Sequence, residues 1–299
     1  PQTRTPDAHF LTEARYNGTK AVAITPDYAE VAKLCDQWIH PKQGTDAAIA
    51  FAMGHVVLRE FHHEKPSEYF RDYCRQYSDM PLLVKIDRRE DGQRVSGRFL
   101  RASDLDGGLG ESNNPEWKTL GLDTRSGKLV VPNGSIGFRW GESGKWNIEE
   151  RESAGADTAL QLSLAEGNDG FVDVSFPYFG GVEHEAWTHV KVEDVLAKRV
   201  PVRRIQLADG SEVEVATVYD LLMAQYGVDR GFGGAHVAND YDAMVPGTPA
   251  WAEAITGVPR ADIIQLAREF AGNADKTRGR SMIIIGAAMN HWYHNDMNY

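Results

Sequence analysis

The chain is 299 residues long, carries a formal net charge of −11, and is 42% apolar and 25% charged, with two cysteines. Acidic residues spread along the whole length speak against nucleic acid or an anionic membrane surface as a direct partner, since both repel a polyanion. No apolar run approaches the roughly 20 residues of a membrane-spanning helix. Cys35 and Cys74 form no CxxC pair, which argues against structural zinc and fits a reducing compartment.

Residues 1–79 read as an α/β segment. The stretch from Pro1 to Phe10 reads as a loop leading into a helix, with Thr3, Arg4 and Thr5 as possible donors to a pyrophosphate and His9 as a cap or packing residue. An apolar run at 20–25 predicts a strand that stops at Thr25-Pro26-Asp27. A helix is expected near 28–39, holding Cys35 as a small core residue. The turn Lys42-Gln43-Gly44-Thr45-Asp46 opens a longer helix to about residue 62, in which Ile49, Met53, Val56 and Val57 share one face. His62-His63 reads as the solvated end of that helix, Pro66 closes it, and residues 67–77 predict a further short helix.

Residues 80–215 change texture: PLLVKI, RVSGRFL, KLVVP and RIQLADGSEVEV are short β-type runs between Gly, Asn and Asp turns. Asp209-Gly210 marks a hairpin, because both residues tolerate positive φ. The aperiodic, Gly- and Trp-rich stretch 133–147 reads either as an ordered surface loop or as a surface packed against another part of a larger assembly. From 216 to 299 helices return. Thr248-Pro249 is a hydroxyl cap followed by proline at the first helical position, and Pro259 opens a helix with Ile263, Leu266, Ala267 and Phe270 inward, which Gly272 is expected to close. Residues 281–285, SMIII, predict a buried strand ending at Gly286. The order of elements suggests one α/β layer interrupted by a β-rich insertion.

Two polar turns, one at a strand end and one at a helix start, are where an open α/β sheet binds a nucleotide. Thr25 and Asp27 lie in the first, Lys42, Gly44, Thr45 and Asp46 in the second. A carboxylate at Asp46 can accept two hydrogen bonds from a guanine edge. Equally, it can simply complement the helix dipole, an effect of about 0.3–1 kcal/mol. A second strand-to-loop junction begins at Gly286, where Asn290, His291, His294 and Asn295 cluster. These suit a flat heteroaromatic edge, or are ordinary hydrogen-bonded loop residues; a metal site lacks an evident third ligand. No GxSxG, HExxH, P-loop or GxGxxG element is present, which removes the hydrolase and nucleotidase readings that need them.

The wording TPDYAEVAKLCDQW at 25–38, PKQGTDAA at 41–48, PNGSIGFRWGE at 132–142, TPAWAEAITGV at 248–258 and NHWYHNDMNY at 290–299 resembles the molybdopterin oxidoreductase family, specifically its respiratory nitrate reductase branch. Many members of the wider family carry a proline just before Gly-Thr-Asp; Lys42-Gln43 stands there in this chain, as in that branch. The resemblance implies that Thr25, Asp27, Lys42, Gly44, Thr45, Asp46, Gly286, Asn290, His291 and His294 hold a bis-molybdopterin guanine dinucleotide carrying molybdenum. It also implies reduction of nitrate to nitrite with electrons from quinol. The implied partners are an iron–sulfur β subunit and a membrane cytochrome b γ subunit, on the cytoplasmic face of a bacterial inner membrane. A 4Fe–4S cluster needs about four thiolates, or three with a histidine. Two cysteines cannot supply them, so the cluster ligands and the molybdenum ligand are expected upstream of Pro1, the chain being an internal piece without catalytic residues of its own and inactive alone. Alternatives are a relative acting on selenate, chlorate or nitrite, and a catalytically silent homologue that keeps the fold as a structural module.

Overall fold

The computed structural model describes residues 5–28, 31–105, 109, 118–133, 148–152, 156–177 and 195–285. In chain order it begins with α1 (Thr5–Tyr16), β1 (Val22–Ile24), a 3-10 turn at Ala32–Leu34, β2 (Gln37–Ile39) and α2 (Asp46–Val57). A π-helical turn, Leu58–Glu64, leads to α3 (Glu68–Tyr77), then β3 (Leu83–Arg88), β4 (Arg94–Phe99), and the short strands β5 (Gly121–Leu122), β6 (Leu129–Val130), β7 (Pro132–Asn133) and β8 (Glu149–Glu152). The longer strands β9 (Gly170–Pro177), β10 (Val195–Gln206) and β11 (Glu212–Thr217) precede α4 (Val218–Gln225), and α5 (Pro249–Thr256) and α6 (Arg260–Thr277) close the series. The described residues up to Val57 and from Asp240 onward form one compact unit; those from Leu58 to Asn239 form a second.

In the first unit β1 and β2 pair in parallel, Val22 with Gln37 and Ile24 with Ile39. The apolar stripe of α2 packs on α5 and α6: Ile49, Met53 and Val56 are buried with Trp251, Ile255, Ile263 and Leu266, and Val57 packs at the edge of the same cluster. Caps set the helix boundaries. Thr248 Oγ1 accepts the Trp251 N–H, Pro249 stands at the first helical position, and Gly257 ends α5 at φ 75°, a left-handed conformation that suits glycine.

The second unit is built on a five-stranded antiparallel sheet of order β4-β3-β11-β10-β9. Its two tight hairpins among the described residues, β3–β4 and β10–β11, are twins. In one, Gly210 donates to Leu207 O, Leu207 to Ser211 O, and Asp209 Oδ1 accepts the Ser211 N–H. In the other, Gly92 donates to Arg89 O, Arg89 to Gln93 O, and Asp91 Oδ1 accepts from Gln93. Both glycines take positive φ, 82° and 83°, as a three-residue loop ending in a left-handed residue requires. The Asp209-Gly210 signal is therefore a hairpin, and Asp91-Gly92 carried the same signal.

Four expectations need correction. Residues 28–39 are not a helix: only Ala32–Leu34 turns, and Cys35 is already extended at φ −111°, ψ 162°. The Asp36 carboxylate accepts the Ala21 N–H and a fork from Arg15, which launches Gln37–Ile39 into the strand beside β1. Gly272 does not close α6; with Ala271 and Ala274 buried the helix runs to Thr277 and ends at Arg278, φ 56°. Core packing there outweighs the roughly 1 kcal/mol glycine penalty. Residues 281–285 form no strand, and Met282, Ile283, Ile284 and Ile285 are all exposed. His62 is not solvated. Its ring lies 5.3 Å from that of Phe70 and 6.0 Å from that of Tyr219, and burial pushes it down to about 4, whereas His63 is exposed.

Candidate dinucleotide site at the ends of two parallel strands

Because β1 and β2 are parallel, both leave the sheet at one edge. The last rung there is the Thr25 N–H donating to Ile39 O at 3.0 Å. Thr25 Oγ1 then accepts the Asp27 N–H at 3.4 Å, and Thr25 O accepts Trp38 Nε1–H at 2.9 Å, so the first turn is held from both sides. Asp27 is exposed and Thr25 half-buried.

The second turn follows β2 after His40 and Pro41. Lys42 N–H donates to Thr256 O at 2.9 Å, which ties the turn to the end of α5. Lys42 O accepts both the Thr45 N–H at 3.3 Å and the Thr45 hydroxyl at 2.6 Å. Between them Gly44 sits at φ 74°, the positive value that the third position of a type II turn needs. A Cβ built on Gly44 meets nothing within 4 Å, so the space over the turn is open. Thr45 is buried and its carbonyl accepts the Ala48 N–H, beginning α2, with Asp46 as first helical residue. Lys42 is exposed and Asp46 half-buried.

This arrangement brings Thr25, Asp27, Lys42, Gly44, Thr45 and Asp46 to one edge, at the carboxyl ends of parallel strands where open α/β sheets bind ligands. It offers an exposed ammonium, a carboxylate on the first turn of a helix, and backbone groups around an open glycine. That donor set suits a ligand with an anionic stem and a base edge carrying N–H groups. Gly286, Asn290, His291 and His294 lie outside the described residues, as do Thr3, Arg4 and the stretch 134–147. Sequence reasoning missed the part of Trp38, whose indole pins Thr25. The signal was the alternation in Gln37-Trp38-Ile39-His40, a β-type pattern read as helix.

Elsewhere the ionisable groups serve the fold. Burial pushes the Cys74 thiol up to about 11 and raises that of Cys35, so neither is poised as a thiolate. Burial lowers Lys198 to about 8, and its ammonium donates to Gln225 O at the end of α4. Burial alone would raise Asp123, but hydrogen bonds from Ser126 and the Ala159 N–H hold it down at about 2. Among the described residues no group of three His, Cys, Asp or Glu is placed to hold a metal ion. No helix among them is long and apolar enough to cross a membrane.

Comparison with known proteins bears on the whole chain. It is 62% identical to the respiratory nitrate reductase 1 alpha chain of Escherichia coli (strain K12) over 100% of its own length and 24% of that protein's. It is 41% identical to the nitrate reductase alpha chain of Bacillus subtilis (strain 168), covering 100% of this chain and 23% of the relative. Against the perchlorate reductase subunit alpha of Dechloromonas aromatica (strain RCB) identity is 32%, over 99% of this chain and 24% of the relative. The chain thus spans about a quarter of the length of the curated relatives it matches. The molybdopterin oxidoreductase family model matches residues 1–299 without remainder, and the chain belongs to the molybdopterin oxidoreductase family.

Proposed function

We propose that this chain is the part of a respiratory nitrate reductase catalytic subunit that grips a molybdopterin guanine dinucleotide. The observation that carries the reading is the convergence of Thr25, Asp27 and the turn from Lys42 to Asp46 on one edge of the β1–β2 pair, in a chain 62% identical to a respiratory nitrate reductase alpha chain. Family membership implies a molybdopterin-bound molybdenum, and the residues present fit the dinucleotide form of it. The open space over Gly44 admits a ligand against the backbone, and Lys42 supplies a counter-charge for a pyrophosphate. The Asp46 carboxylate offers a forked acceptor for the guanine N1–H and exocyclic amine.

When bound, the group supplies the two-electron oxygen-atom-transfer chemistry by which nitrate becomes nitrite. The chain's own residues bind and orient. Thr256 and Thr45 hold the turn so that Lys42 and Asp46 are displayed from fixed backbone, and Trp38 fixes Thr25 opposite them. On this reading the segment from Gly286, with Asn290, His291 and His294, meets the pterin end. The β-rich stretch 80–215 is an insertion between the α/β parts 1–79 and 216–299. The wider subunit adds a 4Fe–4S cluster and the molybdenum ligand, and docks on an iron–sulfur β subunit and a membrane cytochrome b γ subunit at the cytoplasmic face of the inner membrane. The perchlorate reductase relative marks the runner-up, a related oxyanion reductase; its 32% identity against 62% favours nitrate.

The test is a chimaera in which this chain replaces the matching quarter of the E. coli respiratory nitrate reductase 1 alpha chain. The expected result is dye-linked nitrate reduction with full molybdenum, and, in Asp46→Ala, sharply reduced molybdenum and bound guanine in a folded subunit. Each charge-assisted bond lost is worth about 1.5–3 kcal/mol. A full molybdenum and guanine complement in Asp46→Ala returns that carboxylate to a helix-dipole role, and an inactive, cofactor-free chimaera sinks the assignment.

A further inference from the structure

The end of α1 carries an exposed asparagine–glycine pair. Thr19 N–H donates to Ala14 O at 3.1 Å and Gly18 N–H to Arg15 O at 2.9 Å, the paired bonds of a Schellman cap. Gly18 takes the left-handed position of that cap at φ 91°, which explains the glycine. It also gives Asn17 a neighbour without a side chain. Asn17 and Gly18 are both exposed, and Tyr16 before them is 87% exposed. A Cβ built on Gly18 meets nothing within 4 Å, so nothing crowds the pair. Among the described residues the Asn17 carboxamide has no hydrogen-bond partner.

Other asparagines are held. Asn168 donates to Ala165 O and accepts the Gly170 N–H, and Asn273 donates to Arg280 O and to Ser281 Oγ. Each is followed by a residue with a side chain, Asp169 and Ala274. The sequence holds a second asparagine–glycine pair at 133–134, but Asn133 is half-buried and stands opposite Glu149 in the β7–β8 ladder. A backbone nitrogen attacks the side chain ahead of it under three conditions: that side chain is uncommitted, no Cβ blocks the approach, and the local backbone opens. A helix end meets the last condition, because its terminal bonds open at little cost.

We propose that Asn17 is a site of spontaneous modification, deamidation through a succinimide, gated by opening of the α1 cap. When the bond from Gly18 to Arg15 O opens, the Gly18 nitrogen attacks Asn17 Cγ. A bond forms between that nitrogen and Cγ, the Cγ–Nδ2 bond breaks, and ammonia leaves with the proton that the nitrogen gives up. Water then opens the succinimide ring at either carbonyl, giving aspartate or isoaspartate; no oxidant, metal or enzyme enters. Either product puts a carboxylate at the negative end of α1, where the helix dipole repels it. Isoaspartate also lengthens the main chain by a methylene, so the cap does not close as before. The Arg15 guanidinium, on the same turn, holds the Asp36 carboxylate that accepts the Ala21 N–H. The change therefore falls at the entry to β1 and β2.

The test ages the folded 299-residue chain in mildly alkaline oxygen-18 water, beside a sample in urea, and maps tryptic peptides after brief digestion in ordinary water. Trypsin isolates the asparagines cleanly: 16–20 holds Asn17 as its only side-chain amide, 129–139 only Asn133, and 269–276 only Asn273. The expected result in the folded chain is the amide-to-acid mass gain, carrying oxygen-18, severalfold faster in 16–20 than in either other peptide. Part of that product should accept a methyl group from an isoaspartyl methyltransferase. In urea 16–20 should convert faster still and 129–139 should catch it up, since both carry the same dipeptide. Asn17→Gln should remove the gain, because ring closure through the longer side chain is slow. Hydrogen exchange on the aged chain should lose protection at Gly18 and Thr19 while the α2 core keeps it. A folded chain in which 16–20 converts no faster than 129–139 or 269–276 overturns the site. Equal rates for 16–20 in the folded chain and in urea overturn the gating by the cap.

Discussion

The two compact units use charge in opposite ways. In the second unit Asp220 is fully buried and every oxygen is engaged: Oδ1 accepts from Arg230 and Ser163, each at 2.6 Å, and Oδ2 from the Leu164 N–H at 2.7 Å and Thr217 at 2.8 Å. Arg230 is itself buried and lies over the Phe232 ring at 4.5 Å. In the first unit Asp27 and Lys42 stand exposed on two successive turns whose backbones are secured. The difference teaches what each charge is for. A buried, fully satisfied pair can only serve the fold, whereas charges displayed from braced turns cost the fold little and, on the proposed function, serve a ligand.

The hardest way to break this comparison is Asp220→Ala. It strands Arg230 as an uncompensated buried charge and orphans three further donors, with an expected loss of about 3–5 kcal/mol of stability in urea unfolding. A loss below about 1 kcal/mol would mean that water replaces the carboxylate and that the second unit is not organised around this pair.

The pH dependence sharpens the same point for a neutral buried group. His62 is held by burial at about 4 against an ordinary 6.5, and its Nδ1 has no hydrogen-bond partner among the described residues. Its folded state thus binds a proton less readily than its unfolded state. The stabilisation is complete above about pH 6.5 and is lost as pH falls through the window toward about 4. The expected loss is on the order of 3 kcal/mol. His62→Phe should flatten that part of the slope in denaturant titrations across the window; parallel slopes for both proteins would refute it.

The smallest effect is expected at Asp46→Ala. If the residue is kept for a ligand, removing it from the unliganded chain costs only its share of the helix dipole, about 0.3–1 kcal/mol. A thermal or urea midpoint shifted as far as in Asp220→Ala would erase the distinction between the two units.

What could be read from sequence follows the range of the forces involved. The α2 stripe, the Thr248-Pro249 cap and the Asp209-Gly210 hairpin are decided within a few residues, and each is legible. The strand Gln37–Ile39 is not, because it exists through pairing with β1 and through an Asp36 carboxylate that ties it to Ala21 and Arg15. The same error hid the contact of the Trp38 and His40 rings, since only a strand puts residues two apart on one face. The Asp220–Arg230–Ser163 cluster joins residues 57 apart in sequence and has no local signature at all.

The exposed run Met282-Ile283-Ile284-Ile285 has a practical consequence. Consecutive β-branched residues open to water are a template for strand addition between molecules, and no charge or proline interrupts the four. The net charge of −11 opposes that association only through long-range repulsion, which salt screens within about 10 Å at 0.1 M. Handling of the isolated chain is therefore a contest between a short exposed apolar run and a screened field: low ionic strength is expected to keep it dispersed, and added salt to promote its association.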